Sequence, residues 1–546
     1  MKNDTRAIIA LIATYIMGNF LLLLNKAIYW DTWVWLPIIK EGNYAMLWDA
    51  LFQSKRFTAY YLYRVSGFFD NPILFFKLGA FFSCLLAGLF LYGILRKKLS
   101  LRIDRAFFIS AFFILTPVFL VRIDSSILQH SFNIMLFFMA AFIYFIAEKN
   151  KNRLAAIINY SLSWILFFLS FNTYSLLSFY GGFALLLFIF YRRENIGQPL
   201  ISLILPWLKN NFIFIILPII FWSLKLSIWK DTGVLVDYDN FINPLASPSL
   251  TTLLLWETAI YGFFWQIIAP ILILHRKIFT LIFLITGFIT YLATKKIFVP
   301  TDGNDTDSPQ KEIDYAPKYY LIAGTILFFL GFLPYFLTGK MPHILGNPFN
   351  MRSAFLLPLG SSLIILSAIL LIIKKEWQYL AQRIILSLFM TFTIYNYYGL
   401  DMDWYKQLAI IESLKTNQDR ALVSATTLVF NDKVSSLNWL NRDIHGEEYL
   451  GYLEEIYDFR KNPKFGTAEG EINYYYIQKD LTAHPYPKDF DPLKKVINVN
   501  ITTYDGPEIL TVGNWLKIKR LELFSDQKSF IDKINETFRI KLEINS

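Results

Sequence analysis

Residues 8–35 read IIALIATYIMGNFLLLLNKAIYWDTWVW. The stretch up to Ile28 is apolar and long enough to cross a bilayer as one helix, which takes about 20 residues. It lacks a small-residue cleavage site, and the preceding MKNDTR is too short for the basic region of a signal peptide. The segment therefore reads as a retained first span. Directly after it, Asp31 stands among Trp30, Trp33 and Trp35. Composition extends the reading to the rest of the chain. Of 546 residues, 55% are hydrophobic and 18% aromatic, and the mean hydropathy is +0.41, as in polytopic membrane proteins. The lone cysteine, Cys84, lies in an apolar run, so neither a disulfide framework nor a cysteine metal site is expected.

Working outward from the first span, apolar runs near 71–95, 106–121, 128–147, 155–172, 175–191, 210–228, 278–294, 319–338, 354–373 and 383–400 give eleven spans in all. Basic residues gather at alternate ends: Lys2 and Arg6, Arg96 to Lys98, Lys149 to Arg153, Arg192 and Arg193, Lys295 and Lys296, then Lys374, Lys375 and Arg383. The positive-inside rule makes these ends cytoplasmic, with the C-terminal part outside. Residues 250–274 are apolar enough for a twelfth span; a helix on the outer surface is preferred, because a crossing would reverse every later loop against its charges. Charge is divided unevenly. Residues 401–546 hold 19 basic and 23 acidic side chains, which leaves +14 of the overall +10 on residues 1–400. That excess suits anionic headgroups or phosphates; no separate basic patch points to nucleic acid.

The expected architecture is a polytopic α-helical membrane protein: residues 1–400 form the transmembrane domain and 401–546 a small extracytoplasmic α/β domain. In the latter, Tyr405–Thr416 reads as an amphipathic helix, and Ala421–Phe430, Val496–Thr503 and Ile509–Leu523 as strands. Three outer loops carry polar groups: 29–70, the turn Arg122-Ile-Asp124-Ser-Ser, and 338–353. In the first, Trp33, Leu36 and Ile39, then Leu47, Trp48, Leu51 and Phe52, make two short amphipathic helices suited to the membrane interface.

The chain at this point resembles the GT-C membrane glycosyltransferases, including their arabinosyl-, mannosyl- and aminoarabinose-transferring members. The elements that carry the resemblance are Asp31 in YWDTW, the helices of 33–53, Asp124 in RIDSS and the tail from 401. The resemblance implies a transferase of the cell envelope, in the plasma membrane, that moves a sugar from a polyprenyl phosphate to a hydroxyl of a glycan, lipid or protein on the outer face. It makes Asp31 and Asp124 the catalytic candidates, with Asp31 as base. Such chemistry needs a base for the acceptor's proton and cations for the departing phosphate. Lys55, Arg56, Arg122, Lys340, His343 and Arg352 are the candidates for the phosphate. Many members pair their acids, whereas Asp31 stands alone, which leaves a divalent metal as an open alternative.

Plainer roles compete. Asp31 can cap the helix starting near Trp33. Asp124 can pair with Arg122 in a tight turn, and His130 can bridge helices. Lys55 and Arg56 can anchor to headgroups, Asp237 and Asp239 read as solvated loop acids, and Lys77 and Lys225 can snorkel. The alternative functions are a flippase or transporter of lipid-linked sugars, and an enzyme like the O-antigen ligases or polymerases. No internal repeat of the kind transporters carry is seen.

Overall fold

The structure is a computed structural model and describes residues 2–48, 51, 56–195, 198–227, 247–298, 315–340, 342, 348–417, 427–457, 496–504 and 511–545. It is 82% helical. Among the described residues, seven helices are long and apolar enough to cross a membrane, or ten if each of three bent pairs is one span. The chain is a polytopic helical membrane protein. It divides into two compact units. One comprises residues 1–24, 39–343 and 349–394; the other comprises 25–38, 344–348 and 395–546.

The first unit begins with α1 (Lys2–Leu24). The chain passes through α2 (Thr32–Lys40), whose first turns belong to the second unit, then α3 (Tyr44–Leu47) and α4 (Phe57–Ser66). Next comes α5 (Pro72–Lys97), started by local chemistry: the Asn71 side chain accepts from Leu74 N at 3.0 Å, and Pro72 stands where no amide hydrogen is needed. There follow α6 (Ile103–Leu115), α7 (Leu128–Lys149), α8 (Arg153–Ser170), α9 (Leu176–Glu194), α10 (Leu200–Asn210) and α11 (Phe212–Ser227). The later elements are α12 (Pro248–Ala259), α13 (Trp265–Leu272), α14 (Lys277–Thr294), α15 (Pro317–Leu337), α16 (Leu357–Ile372) and the 40-residue α17 (Gln378–Asn417).

Six expected runs coincide with single apolar helices: 8–28, 71–95, 128–147, 155–172, 278–294 and 319–338. The runs 106–121, 210–228 and 354–373 fall on pairs bent by 43°, 68° and 74°. The run 175–191 is a shorter apolar helix, and 383–400 is part of α17. Residues 250–274, expected on the surface, belong to the continuous helical stretch Pro248–His275, whose 28 residues are long and apolar enough to cross.

Helix contacts in this unit use the devices expected where lipid supplies no hydrophobic drive between helices: small residues and hydroxyl bridges. At the α15–α16 crossing, a Cβ on Gly360 would lie 2.4 Å from Phe328 N and 2.7 Å from Gly324 O, so only hydrogen fits there. Between α14 and α17 runs a hydroxyl seam. Thr286 and Thr391 meet at 3.0 Å, Ser387 donates to Thr290 at 3.2 Å, and Arg383 Nε donates to Thr294 at 2.9 Å.

The second unit holds β1 (Thr427–Asp432), α18 (Gly446–Tyr457), β2 (Val496–Thr503), α19 (Val512–Phe524), α20 (Gln527–Phe538) and β3 (Ile540–Asn545). The strands form one sheet in the order β1-β2-β3, with β1 parallel to β2 and β3 antiparallel to it. The strand expected at Val496–Thr503 is β2, and Phe430 of the expected 421–430 strand lies in β1; residues 421–426 fall outside the described residues. Of the expected strand Ile509–Leu523, residues 509–510 fall outside the described residues, and 512–523 are instead in helix α19. Thr511 caps it by accepting from Asn514 N at 3.2 Å, and its buried face is Trp515, Ile518, Lys519 and Glu522, a helical spacing. Aromatic pairs fill the interior. Phe430 stacks on Tyr449 at 4.3 Å between centroids, Tyr405 meets Phe530 at 5.8 Å, and Tyr398 meets Trp515 at 5.6 Å.

Candidate functional site

The acid that follows the first span belongs to the second unit. Past Leu24, Asn25 turns the chain by accepting from Ala27 N at 3.0 Å and donates its amide to Asp401 at 2.6 Å. The Tyr29 hydroxyl donates to the Leu400 carbonyl at 2.6 Å. Trp30 takes a left-handed backbone, with φ of 45°, costly for a residue with a side chain. Its N–H is held by Glu448 Oε1 at 3.2 Å. The chain then enters α2, and the Asp31 carbonyl accepts from Val34 N and Trp35 N at 3.0 and 3.2 Å. Asp31 thus stands at the N-cap position, as its sequence allows, and is half-buried. Trp30 and Trp33 on either side are buried. Trp33 packs edge-on to Tyr452 at 5.2 Å and beside Trp404 at 6.0 Å.

Behind this loop lies a fully buried ionic cluster. Arg442 binds Asp403 twice, Nε to Oδ2 at 2.7 Å and Nη2 to Oδ1 at 2.9 Å. It also binds Glu448 twice, at 2.6 and 3.0 Å. Asp403 accepts from Trp439 N at 3.0 Å and Gln407 Nε2 at 2.9 Å; Glu448 accepts from His445 N at 3.0 Å. Burial works to lower the Arg442 pKa, but the two carboxylates outweigh it and hold the guanidinium well above its usual range. Nearby, Lys406 reaches Asp432 at 2.6 Å, Asn438 at 2.7 Å and the Val434 carbonyl at 2.9 Å. Burial pushes its pKa down, against the pull of Asp432. Asp401 accepts from Asn25, Trp515 Nε1 and Lys519, while burial raises its pKa.

The other described site residues belong to the first unit. Asp124 and Arg122, expected in an outer turn, are buried, 1% and 2% exposed. Asp124 caps a single 3-10 turn, accepting from the Ser126 hydroxyl and from Ser126 N at 3.4 Å. Arg122 donates to Asn19 and to Cys84 Sγ (3.1 Å) and lies 5.6 Å from the Tyr15 ring centre. Arg56 is half-buried at the start of α4; Lys340, just past α15, and Arg352, in the 3-10 helix Pro348–Ala354, are half-buried too. Lys55, His343, Asp237 and Asp239 lie outside the described residues. Both lysines inside apolar runs have protein contacts. Lys77 is buried and donates to the Ile123 carbonyl, and the Lys225 ammonium lies 3.5 Å from the Tyr174 ring centre and 4.5 Å from that of Trp222.

The first unit also assembles a polar cluster that the motifs did not mark. Asn172 accepts from both the N–H (3.1 Å) and the hydroxyl of Thr58, and Asn133 donates to Thr173 at 2.9 Å and to Thr58 at 3.3 Å. His130 Nδ1 lies 3.5 Å from the Thr173 hydroxyl, as the interhelical reading expects. The available signal was Asn172-Thr173, which interrupts the apolar run between α8 and α9. Among the described residues, no group of three or more His, Cys, Asp or Glu side chains is placed to hold a metal ion. No family of known proteins, no curated protein and no solved structure matches the chain.

Proposed function

We propose that the protein is a GT-C-type membrane glycosyltransferase that moves a sugar from a polyprenyl-phosphate donor to a hydroxyl of a glycan, lipid or protein outside the plasma membrane. One observation carries the reading: a half-buried carboxylate, Asp31, heads a helix directly after the first apolar span, on a backbone fixed by buried contacts. Preorganisation of this kind is what a general base requires. Asp31 takes the proton of the acceptor hydroxyl as its oxygen attacks C1 of the sugar. The C1–O bond to phosphate breaks, and its electron pair leaves with the polyprenyl phosphate. Arg56, Lys340 and Arg352, with Lys55 and His343, are the groups assigned to the phosphate charge. Asp124 and Arg122 take supporting roles in this scheme, since Asp124 caps a buried turn and Arg122 donates to Asn19 and Cys84. In this reading residues 401–546 lie outside, on the side opposite the basic span ends.

The test is sugar transfer by the purified full chain in lipid nanodiscs, from a panel of polyprenyl-phosphate sugars, with products read by mass spectrometry. Asp31→Asn keeps the cap's shape and removes the base. The expected result is donor binding without turnover. Wild-type turnover by D31N refutes the assignment, and translocation of donor across the bilayer without transfer favours the flippase reading.

A further inference from the structure

We infer that Glu448, on α18, is a positioning residue for Asp31, so that the C-terminal segment builds the reaction site through the backbone of residue 30. The inference rests on the reading of Asp31 as base. Three observations within the second unit support it.

The first is strain with a side-chain clamp on it. Trp30 departs from the conformations open to a bulky residue, and the N–H exposed by that departure is taken by Glu448 Oε1. The left-handed turn at residue 30 sets where residue 31 enters α2. The second is that the clamp cannot swing. Each Glu448 oxygen also accepts from Arg442, Oε2 accepts from His445 N, and Arg442 is fixed from its other side by Asp403. Glu448, Arg442 and Asp403 are fully buried, at 0% exposure. Such a cluster is an expensive way to gain stability but an effective way to specify one geometry. The third is steric. Gly451, one turn beyond Glu448, lets α18 lie against α2: a Cβ there would fall 2.6, 2.7 and 2.8 Å from three Trp33 atoms. Residues 30 and 33 are thus fixed by α18 from two sides, with Asp31 between them.

Two variants test this by different physics. Glu448→Gln keeps the shape but replaces one acceptor oxygen by a donor facing other donors. Gly451→Ala changes no charge and pushes Trp33. Both are made in the full chain, in nanodiscs, with monodispersity and thermal midpoint recorded. For E448Q the expected result is a fall in kcat of about 10- to 100-fold, the scale of an ångström-level misplacement. KM for the polyprenyl-phosphate sugar should stay within about twofold, because the phosphate ligands are other residues. Gly451→Ala should lower kcat by at least about threefold with the same unchanged KM. Hydrogen exchange in the peptide covering 25–38 should quicken in E448Q. In the D31N background E448Q should produce no further loss, since it acts through that carboxylate.

Unchanged kcat in E448Q, unchanged exchange at 25–38, or an equal loss in the D31N background overturns the inference. If E448Q does not fold, Gly451→Ala decides alone: unchanged kcat overturns it. Full turnover by D31N, or no transfer by the wild type, refutes the base assignment and this inference with it. A dead D31N beside fully active E448Q refutes the inference alone.

Discussion

The buried cluster makes a sharp prediction about stability. Arg442→Met removes four charge-assisted hydrogen bonds, two to Asp403 and two to Glu448, and leaves both carboxylates at 0% exposure. Methionine fills most of the volume, so the loss is electrostatic rather than a cavity. Removing one partner from a buried ion pair costs about 3–5 kcal/mol, mostly as the penalty on the charge left behind. Two carboxylates are left here, which places the expectation at the upper end. For a unit of this size each kcal/mol moves the midpoint by about 2–4 °C, so a fall of about 10–20 °C is expected. The assay is thermal unfolding of the full chain in nanodiscs, with proteolysis between residues 395 and 546 reporting which unit opens. The triple variant Arg442→Met, Asp403→Asn, Glu448→Gln carries no buried charge at the site and should recover at least half of the loss. A midpoint for R442M within 2 °C of wild type (about one kcal/mol at most), or a triple variant no better than the single, would refute the reasoning.

Two further outcomes follow from geometry and titration. Gly360→Ala places a methyl group 2.4 Å from the backbone of α15, an overpacking cost of about 1–3 kcal/mol or more, so the detergent-solubilised protein should aggregate at lower temperature in light scattering. Lys406 has a folded-state pKa pushed by burial below the ordinary 10.5. Between those two values the unfolded chain binds the extra proton, so the stability of the wild type relative to Lys406→Met should rise with pH up to about 10.5 and then level off. A flat or falling difference from pH 8 to 10.5 in denaturant melts contradicts the burial of that ammonium.

Six of the expected runs were legible as single apolar helices because lipid permits few solutions, and Asn71-Pro72 marks the start of α5 by cap chemistry alone. Asp31 as a helix cap was legible for the same local reason. Residues 509–523 were not. Leu516, Ile518, Leu521 and Leu523 suggest alternation, while the buried face includes Lys519 and Glu522, whose partners Asp401 and Tyr405 are more than a hundred residues away. Charged residues on a buried helical face defeat any pattern built on hydrophobicity. Arg122 and Asp124 show the same limit. Proximity in sequence suggested a local ion pair in a tight outer turn; the fold buries both residues, and Arg122 also donates to Asn19 and Cys84. Glu448 sits in HGEEYL with nothing local to single it out; its meaning comes from Trp30, 418 residues earlier.

That separation has a consequence in time. At about 5–20 residues per second, the ribosome reaches residue 448 some 20 to 80 s after residue 30. The segment 25–38 leaves the insertion machinery with its hydrogen-bonding partners unsynthesised: Asp401 is 376 residues away and Glu448 is 418. Through that interval the turn at Trp30 has neither its clamp nor the Arg442 cluster behind it, and helix α2 lacks the surface on which Trp33 packs. Residues 30 and 31 are held in place only once residues 401–448 have been made. A nascent chain cut anywhere before residue 395 lacks Asp401, Arg442 and Glu448, so the segment 25–38 is made long before the groups that fasten it.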